Sequence, residues 1–250
     1  MTKNETVVGI DGCKGGWIAA SICNDELKIE KFTSINEIVE NIYFDIALID
    51  MIIGLPDKEH QFRPADKDAR KILKFLSLSS TVFPAPCRNA VYKETRKEQN
   101  QENLKELGKK LTSQTISIIP KIREVDEFLL KNEGYKERLM ESHPEVCFVS
   151  FSGYNHSSNK HSLYGIISRV ELLAKHLPQV TLDLIATEEI KNNCKADDIV
   201  DAICLAISAR LHRRNKTKRL PLGYSPKKDA KGLPMQMVVP DFYHANDGVQ

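Results

Sequence analysis

The chain has 250 residues, of which 41% are hydrophobic and 28% are charged, so it can form a packed core and is not an intrinsically disordered protein. Its length fits one elaborated domain. No apolar run approaches the roughly 20 residues of a transmembrane helix, and the first residues lack the apolar stretch of a signal peptide. These features predict a cytoplasmic protein without a membrane partner.

The formal net charge of +2 is distributed unevenly along the chain. Residues 58–140 contain 18 Lys and Arg against 12 Asp and Glu, and residues 211–231 contain 8 against 1. The rest of the chain therefore carries a net charge of −11. Clustered cations favour a polyanionic partner and clustered carboxylates favour a metal ion, although solvent-exposed helix faces produce the same kind of charge run.

The six cysteines are scattered and include no C-x-x-C pair, which argues against a zinc site and against a disulfide framework. We therefore expect reduced thiols.

The first fifty residues predict a mixed α/β sheet. Strands are expected at residues 6–11, 17–23 and 27–32, followed by a short helix that the capping box Ser34-Ile-Asn-Glu37 opens. Residues 44–50 are nearly all apolar and predict a strand buried on both faces.

Residues 57–136 are expected to be mainly helical. The later elements are predicted from their apolar patterns and from their proline and glycine residues. In chain order we expect helices at 64–78, 89–108 and 113–131 with a kink or restart at Pro120, a strand at 138–141, a helix at 165–177, a strand at 180–185, a helix at 197–209 and an edge strand at 235–240.

Five carboxylates occupy positions typical of a metal site. Asp11, Asp50 and Glu141 each end a predicted strand, and Asp198 and Asp201 share one face at the start of the last clear helix. Oxygen ligands of this kind favour Mg²⁺ or Mn²⁺. Each acid also has an ordinary structural explanation, since an acid before glycine is common in turns and acids in a first helical turn stabilise the helix.

Several motifs are similar to those of one prokaryotic family, the "domain of unknown function 429" family of predicted nucleases with a ribonuclease H-like fold. The similarity runs in order along nearly the whole chain. The motifs are residues 8–20 (VGIDGCKGGWIAA), 49–56 (IDMIIGLP), 82–88 (VFPAPCR), Gln114 with 120–126 (PKIREVD), and 141–148 (ESHPEVCF).

The resemblance implies an α/β ribonuclease H-like mixed sheet flanked by helices, with residues 1–250 forming one domain and 57–136 a helical insertion or cap within it. In the wider superfamily an acid lies on the first strand, another ends the fourth, and a pair opens the last helix. Asp11, Asp50 and the Asp198/Asp201 pair match that order. One departure is that resolvase-type enzymes commonly have Glu where this chain has Asp50, and Glu141 is a candidate to compensate.

The resemblance therefore implies a phosphodiesterase that acts on nucleic acid or nucleotides with two Mg²⁺ or Mn²⁺ ions, which Asp11 would bridge. Metal ligands would be Asp11, Asp50, Asp198 and Asp201. Basic side chains are expected to bind substrate phosphate, with the basic face of 57–136 turned toward the acids. The candidates are Lys14, Arg63, Arg70, Arg88, Lys121 and Lys160.

Two other functions fit the same residues. The turn Asp11-Gly-Cys-Lys-Gly-Gly16 imitates the phosphate hairpin of actin-like phosphotransferases, but the chain has no second Gly-rich copy of it. A non-catalytic nucleic-acid or regulatory binding module of the same fold would need no metal ion.

Overall fold

A computed structural model describes residues 5–153, 160, 162–225 and 227–241. The chain forms two compact units. Unit 1 comprises the described parts of Met1–Asp50, Glu137–Lys218 and Val238–Gln250, and unit 2 comprises those of Met51–Lys136 and Arg219–Met237.

Unit 1 is built on a five-stranded mixed sheet in the order β3-β2-β1-β4-β5. β1, β2 and β3 pair antiparallel through tight turns, whereas β4 and β5 run parallel to β1 because longer connections precede them. The strands are β1 (Thr6–Cys13), β2 (Gly16–Cys23), β3 (Glu26–Phe32), β4 (Ile46–Ile49) and β5 (Leu139–Glu141). The predicted α/β class is confirmed, and the sheet is compatible with a ribonuclease H-like fold.

Nine α-helices are assigned among the described residues, and a second sheet is formed by β6 (Thr217–Leu220) and β7 (Met237–Pro240). Short 3-10 helices lie at Ser79–Thr81 and Glu133–Tyr135. The helices are α1 (Ile35–Asn41), α2 (Pro64–Lys74), α3 (Arg88–Val91), α4 (Arg96–Leu107), α5 (Ser113–Lys131), α6 (Pro144–Ser152), α7 (Leu163–Ala174), α8 (Leu182–Asn192) and α9 (Ala196–Arg213).

The structure differs from the predicted elements at several points. The strand expected at 180–185 is wrong: Thr181 accepts a hydrogen bond from the Leu184 backbone N–H and caps α8. Helix α6 was not predicted, although Pro144 occupies the first helical turn that proline favours. Helix α5 continues through Pro120 without restarting.

Helix α9 packs against β1, and Gly9 makes their close approach possible. A Cβ atom at Gly9 would lie 2.1 Å from the Ala202 carbonyl oxygen and 2.2 Å from the Ala206 nitrogen. Only hydrogen in place of a side chain allows the helix backbone to lie directly on the strand. This contact brings the start of α9 to the strand that carries Asp11.

The core of unit 1 is a continuous cluster in which apolar residues of α9 pack with those of the sheet and of α6. All six cysteines are free thiols, as expected. They are Cys13, Cys23, Cys87, Cys147, Cys194 and Cys204. Over the described residues, none of the helices combines the length and the apolar character needed to cross a bilayer.

Candidate carboxylate site

The pairing of β1 with β4 places Asp11 and Asp50 side by side. Ile10 is opposite Ile49, and the Asp50 backbone N–H donates to the Ile10 carbonyl at 3.0 Å. Residues at the same level on parallel strands point to the same face of the sheet. The two carboxylates that end these strands therefore lie on one face, near the carboxyl ends of both.

Helix α9 adds the third carboxylate. Asp201 is 1% exposed and lies one residue before Ala202, whose carbonyl lies against Gly9. The negative charges of Asp50, Asp201 and Asp198 all raise the pKa of Asp11. Asp50, Asp201 and Asp198 are therefore all within electrostatic range of Asp11, with Asp198 at the more exposed edge.

Burial is the largest cause of the raised pKa values in this cluster. Desolvation, followed by the charges of Asp50 and Asp201, raises the pKa of Asp11 well above its ordinary value. Burial also raises the pKa of Asp50, although His143 opposes the shift. Burial raises the pKa of Asp201 as well, against the opposing charges of Lys160 and Arg169. Negative charge is thus under-compensated in this part of the protein.

Two cations hold Asp201. The Lys160 ammonium donates to Oδ2 of Asp201 at 2.8 Å, and Nη1 of Arg169 donates to Oδ1 at 3.3 Å. Burial opposes the charge of Lys160, but the carboxylates of Asp201, Asp11 and Asp50 outweigh it and raise the pKa of Lys160 above its usual range. Lys160 is therefore an internal counterion of the carboxylate cluster.

Arg169 extends the cluster to an acid that the sequence analysis missed. Its Nη2 donates to both carboxylate oxygens of Glu145, at 2.9 and 2.8 Å, and its guanidinium lies 4.4 Å from the centre of the Phe148 ring. Arg169 is 1% exposed although it is charged, because Glu145 and Asp201 pair with its two Nη groups, whereas its buried Nε has no hydrogen-bond partner among the described residues. One sequence signal existed: Arg169 lies four residues from both Gly165 and Leu173 on the buried face of α7.

Glu141 is placed differently from the other predicted acids. It pairs with Ile49, one position before Asp50, so the alternation of side chains turns it to the opposite face of the sheet from Asp11 and Asp50. Glu141 is buried there. Lys14, in contrast, is exposed between β1 and β2, at the hairpin beside the cluster.

The basic residues predicted in unit 2 are largely engaged in holding that unit together. Arg63 is buried and donates to Asp66 at 2.9 Å and to the Ile53 carbonyl at 3.1 Å. Arg70 donates to the Val82 carbonyl through two nitrogens, at 3.2 and 3.0 Å.

Arg88 lies between the buried carboxylates of Asp126 and Asp229. Asp229 also accepts backbone N–H groups from Leu55 and Leu233, so the Arg88 interaction connects distant parts of the unit 2 chain. Lys121 is half-buried on α5.

The residues of the carboxylate cluster fit a divalent cation by charge and by ligand type. Among the described residues, Asp11, Asp50, Asp201 and Glu145 face Lys160 and Arg169, with His143 also near Asp50, so acids outnumber the lysine and arginine cations around them and a hard cation would fit this excess of carboxylates. Within the described ranges, however, no group of three or more His, Cys, Asp or Glu side chains is arranged as a metal site. The contacts of Asp201 give a reason, since both of its carboxylate oxygens are already held by nitrogen donors.

Fold and site together define an α/β protein with a buried acidic cluster at the carboxyl ends of neighbouring parallel strands. A family model described as "Protein of unknown function (DUF429)" matches residues 9–223, and the chain belongs to this family. Comparisons with curated proteins and with solved structures gave no match.

Proposed function

We propose that the protein is a Mg²⁺- or Mn²⁺-dependent nuclease or phosphodiesterase that hydrolyses nucleic-acid or nucleotide phosphodiesters. The observation that carries the proposal is the convergence of Asp11, Asp50 and Asp201 from two strands and a helix into one buried region, where desolvation raises the pKa of all three carboxyls. Structural acids are usually paired one to one with cations, whereas acids that share one desolvated region are typical of cation-binding and catalytic sites.

Asp11 and Asp50 are the candidate central ligands, with Asp198 and Asp201 completing the set. When bound, divalent ions would supply water activation and charge neutralisation at the scissile phosphate. The Gly12 backbone N–H donates to Oδ1 of Asp11 at 2.7 Å and fixes the orientation of its carboxylate. A fixed carboxylate loses less entropy when it takes part in binding.

Lys160 and Arg169 have different roles in this proposal. Arg169 is fully buried between Glu145 and Asp201, so it positions Asp201 and does not reach a substrate. The Lys160 side chain is 33% exposed, so its ammonium is the group that can exchange a contact with Asp201 for one with a substrate phosphate.

The nitrogen contacts of Asp201 also favour a second candidate function, a non-catalytic binding module. In that case Lys160 and Arg169 would be the permanent counterions of Asp201, and the protein would not need a divalent ion. The two functions differ in whether metal stabilises the fold, because a ligand stabilises a protein only through its affinity for the folded state.

The test is a cleavage assay with Mn²⁺ on a panel of DNA, RNA, junctions and dinucleotides, run beside thermal melts with and without Mn²⁺. We expect Asp11→Asn to lower cleavage at least about 100-fold and to lose most of the Mn²⁺-induced rise in melting temperature. The matched control is Asp25→Asn, an exposed acid in the turn between β2 and β3, where asparagine also accepts the positive φ of 64°.

Each alternative outcome has a definite meaning. Equal cleavage by wild type and Asp11→Asn would place the activity outside this cluster. Neither cleavage nor Mn²⁺-induced stabilisation in the wild type would contradict the nuclease proposal and support the binding module.

A further inference from the structure

Unit 2 contains a cavity of about 400 Å³, and none of the residues that line it belongs to the carboxylate cluster. Its walls come from the start of α2, from the proline-rich bend at 84–85, and from the end of α4 with the residues that follow it. Pockets of roughly 300–1,000 Å³ are typical of small-molecule sites. The cavity is therefore large enough for one small ligand.

The cavity is strongly cationic. Arg63, Lys67, Arg70, Lys109 and Lys110 line it together with a single acid, Asp66, which is paired with Arg63. In the part of the chain that the structure describes, Lys67, Lys109 and Lys110 have no ion-pair partner. Three uncompensated ammonium groups around one cavity favour an anionic ligand.

The backbone that carries these cations is held by buried and partly buried hydrogen bonds. Asn103 accepts from the Cys87 backbone N–H at 2.8 Å and donates to the Lys109 carbonyl at 2.8 Å, so it ties the end of α4 to the proline-rich bend. Thr115 donates to the Pro84 carbonyl at 3.0 Å, and Nη2 of Arg70 donates to the Val82 carbonyl at 3.0 Å. The backbone beneath the lysines is therefore anchored before any ligand binds, which lowers the entropy lost on binding.

Most of the remaining lining residues are apolar. Phe62 is 65% exposed although it is a large aromatic residue, and it lines the cavity beside Pro84 and Leu107. An exposed aromatic ring next to cations is a common arrangement for a ligand that combines a planar base with a phosphate, because the base stacks and the phosphate is neutralised.

We propose that this cavity binds the phosphate and base of a phosphorylated nucleoside, either a free mononucleotide or the 5′-phosphorylated end of a strand. Lys67, Lys109 and Lys110 contact the phosphate, and Phe62 stacks on the base. The proposal rests on the residues of unit 2 alone and does not require the carboxylate cluster to be catalytic.

The experiment is isothermal titration calorimetry in EDTA, with nucleoside 5′-monophosphates, the matching nucleosides, inorganic phosphate, and a short oligonucleotide with and without a 5′-phosphate. We expect the monophosphate to bind at least tenfold more tightly than either the nucleoside or phosphate. The triple variant Lys67→Gln/Lys109→Gln/Lys110→Gln should lose at least tenfold in affinity, and Phe62→Ala should weaken the nucleotide more than inorganic phosphate.

Lys74→Gln is the matched control, since Lys74 is an exposed lysine on the same helix α2 that does not line the cavity, and it should bind as the wild type does. If the 5′-phosphorylated oligonucleotide binds tightly and the mononucleotide binds weakly, the ligand of the cavity is the 5′-phosphorylated end of a strand. No binding by the wild type, or equal binding by the triple variant, overturns the proposal. Asp11→Asn should bind these ligands as the wild type does, because Asp11 does not line the cavity. Failure of the nuclease proposal would therefore leave this binding result unchanged, and the two proposals are tested separately.

Discussion

At the scale of single residues, the described part of the carboxylate cluster contains more acids than lysine and arginine cations. Lys160 is held by Asp201 and is within electrostatic range of Asp11 and Asp50. A divalent cation would compete with this ammonium for the same oxygens, because both satisfy the same negative charge. The exchange between Lys160 and a metal ion can be tested without any assay of activity.

We predict that Lys160→Met lowers stability in EDTA and increases the stabilisation produced by Mn²⁺. Loss of the ammonium leaves Asp11, Asp50 and Asp201 to repel one another, and because Lys160 is partly exposed we expect a loss of about 1–2 kcal/mol in the free energy of unfolding. Thermal melts measure both effects. Lys14→Met, which changes an exposed lysine of unit 1, should leave both quantities unchanged. A smaller Mn²⁺ effect in Lys160→Met would show that the two cations do not compete.

We also predict that Asp11→Asn raises stability in the absence of metal. Burial and the neighbouring acids raise the pKa of Asp11, which means that the folded state disfavours its charged form at neutral pH. An amide of the same shape removes that charge and still accepts the Gly12 N–H, so the gain should be on the order of 1 kcal/mol. Chemical unfolding in EDTA gives the value, and a destabilised variant would count against repulsion as the dominant effect.

At the scale of elements, the site depends on the packing of α9 against β1. We predict that Gly9→Ala destabilises the protein by about 3 kcal/mol, because the added methyl group meets helix backbone, which cannot move aside as a side chain can. The variant should also lose Mn²⁺-induced stabilisation if α9 shifts and carries Asp201 with it.

Gly134→Ala is the control for that change, since a Cβ atom at Gly134 would meet nothing within 4 Å. Unfolding curves of the two variants decide the matter. A Gly9→Ala protein with wild-type stability would mean that the helix adjusts to the methyl group without strain.

The strand predicted at residues 180–185 was wrong because its pattern is too short to be decisive. Residues 180–185 alternate between apolar and polar side chains over only a few positions, so the strand and helix periods are hard to distinguish there. In the structure the Thr181 cap and the burial of Ile185 and Glu188, three residues apart, make this segment helical. The first three strands were predicted well because turn residues such as Asn24 and Asp25 separate them, and α9 was predicted well because its apolar pattern is longer.

At the scale of the whole molecule, the uneven charge observed in the sequence separates largely by unit. The carboxylate cluster belongs to unit 1, and the cationic cavity belongs to unit 2. Several of the basic residues in unit 2 that the sequence suggested for phosphate binding form internal contacts, as Arg63 and Arg88 do. The lysines that remain exposed around the cavity were not among the sequence candidates.

The stability of the whole chain should also fall in mild acid through His176. Burial, with the charges of Arg210 and Lys175, lowers the pKa of His176 to about 4. The folded-state pKa is below the unfolded value, so the stabilisation is present above pH ~6.5 and is lost as pH falls toward 4. His176 is partly exposed, so we expect a loss on the order of 1–2 kcal/mol.

The comparison is between wild type and His176→Phe, which keeps an aromatic ring against Phe151. Unfolding free energies measured from about pH 7 to about pH 4.5 should decline less in the variant. Parallel curves would show that His176 does not contribute to the acid sensitivity.

The sequence by itself determined the sheet, the acids that end its strands and the acidic start of the last helix, because short-range apolar patterns and turn residues specify such elements locally. It also determined the family through motifs in order along the chain. Only the tertiary structure decided that Asp201 pairs with Lys160 and Arg169, and that Glu141 lies on the opposite face of the sheet from Asp11. It also decided that the backbone of α9 packs directly against Gly9. These relations join residues far apart in the chain, and no local pattern encodes which of them meet.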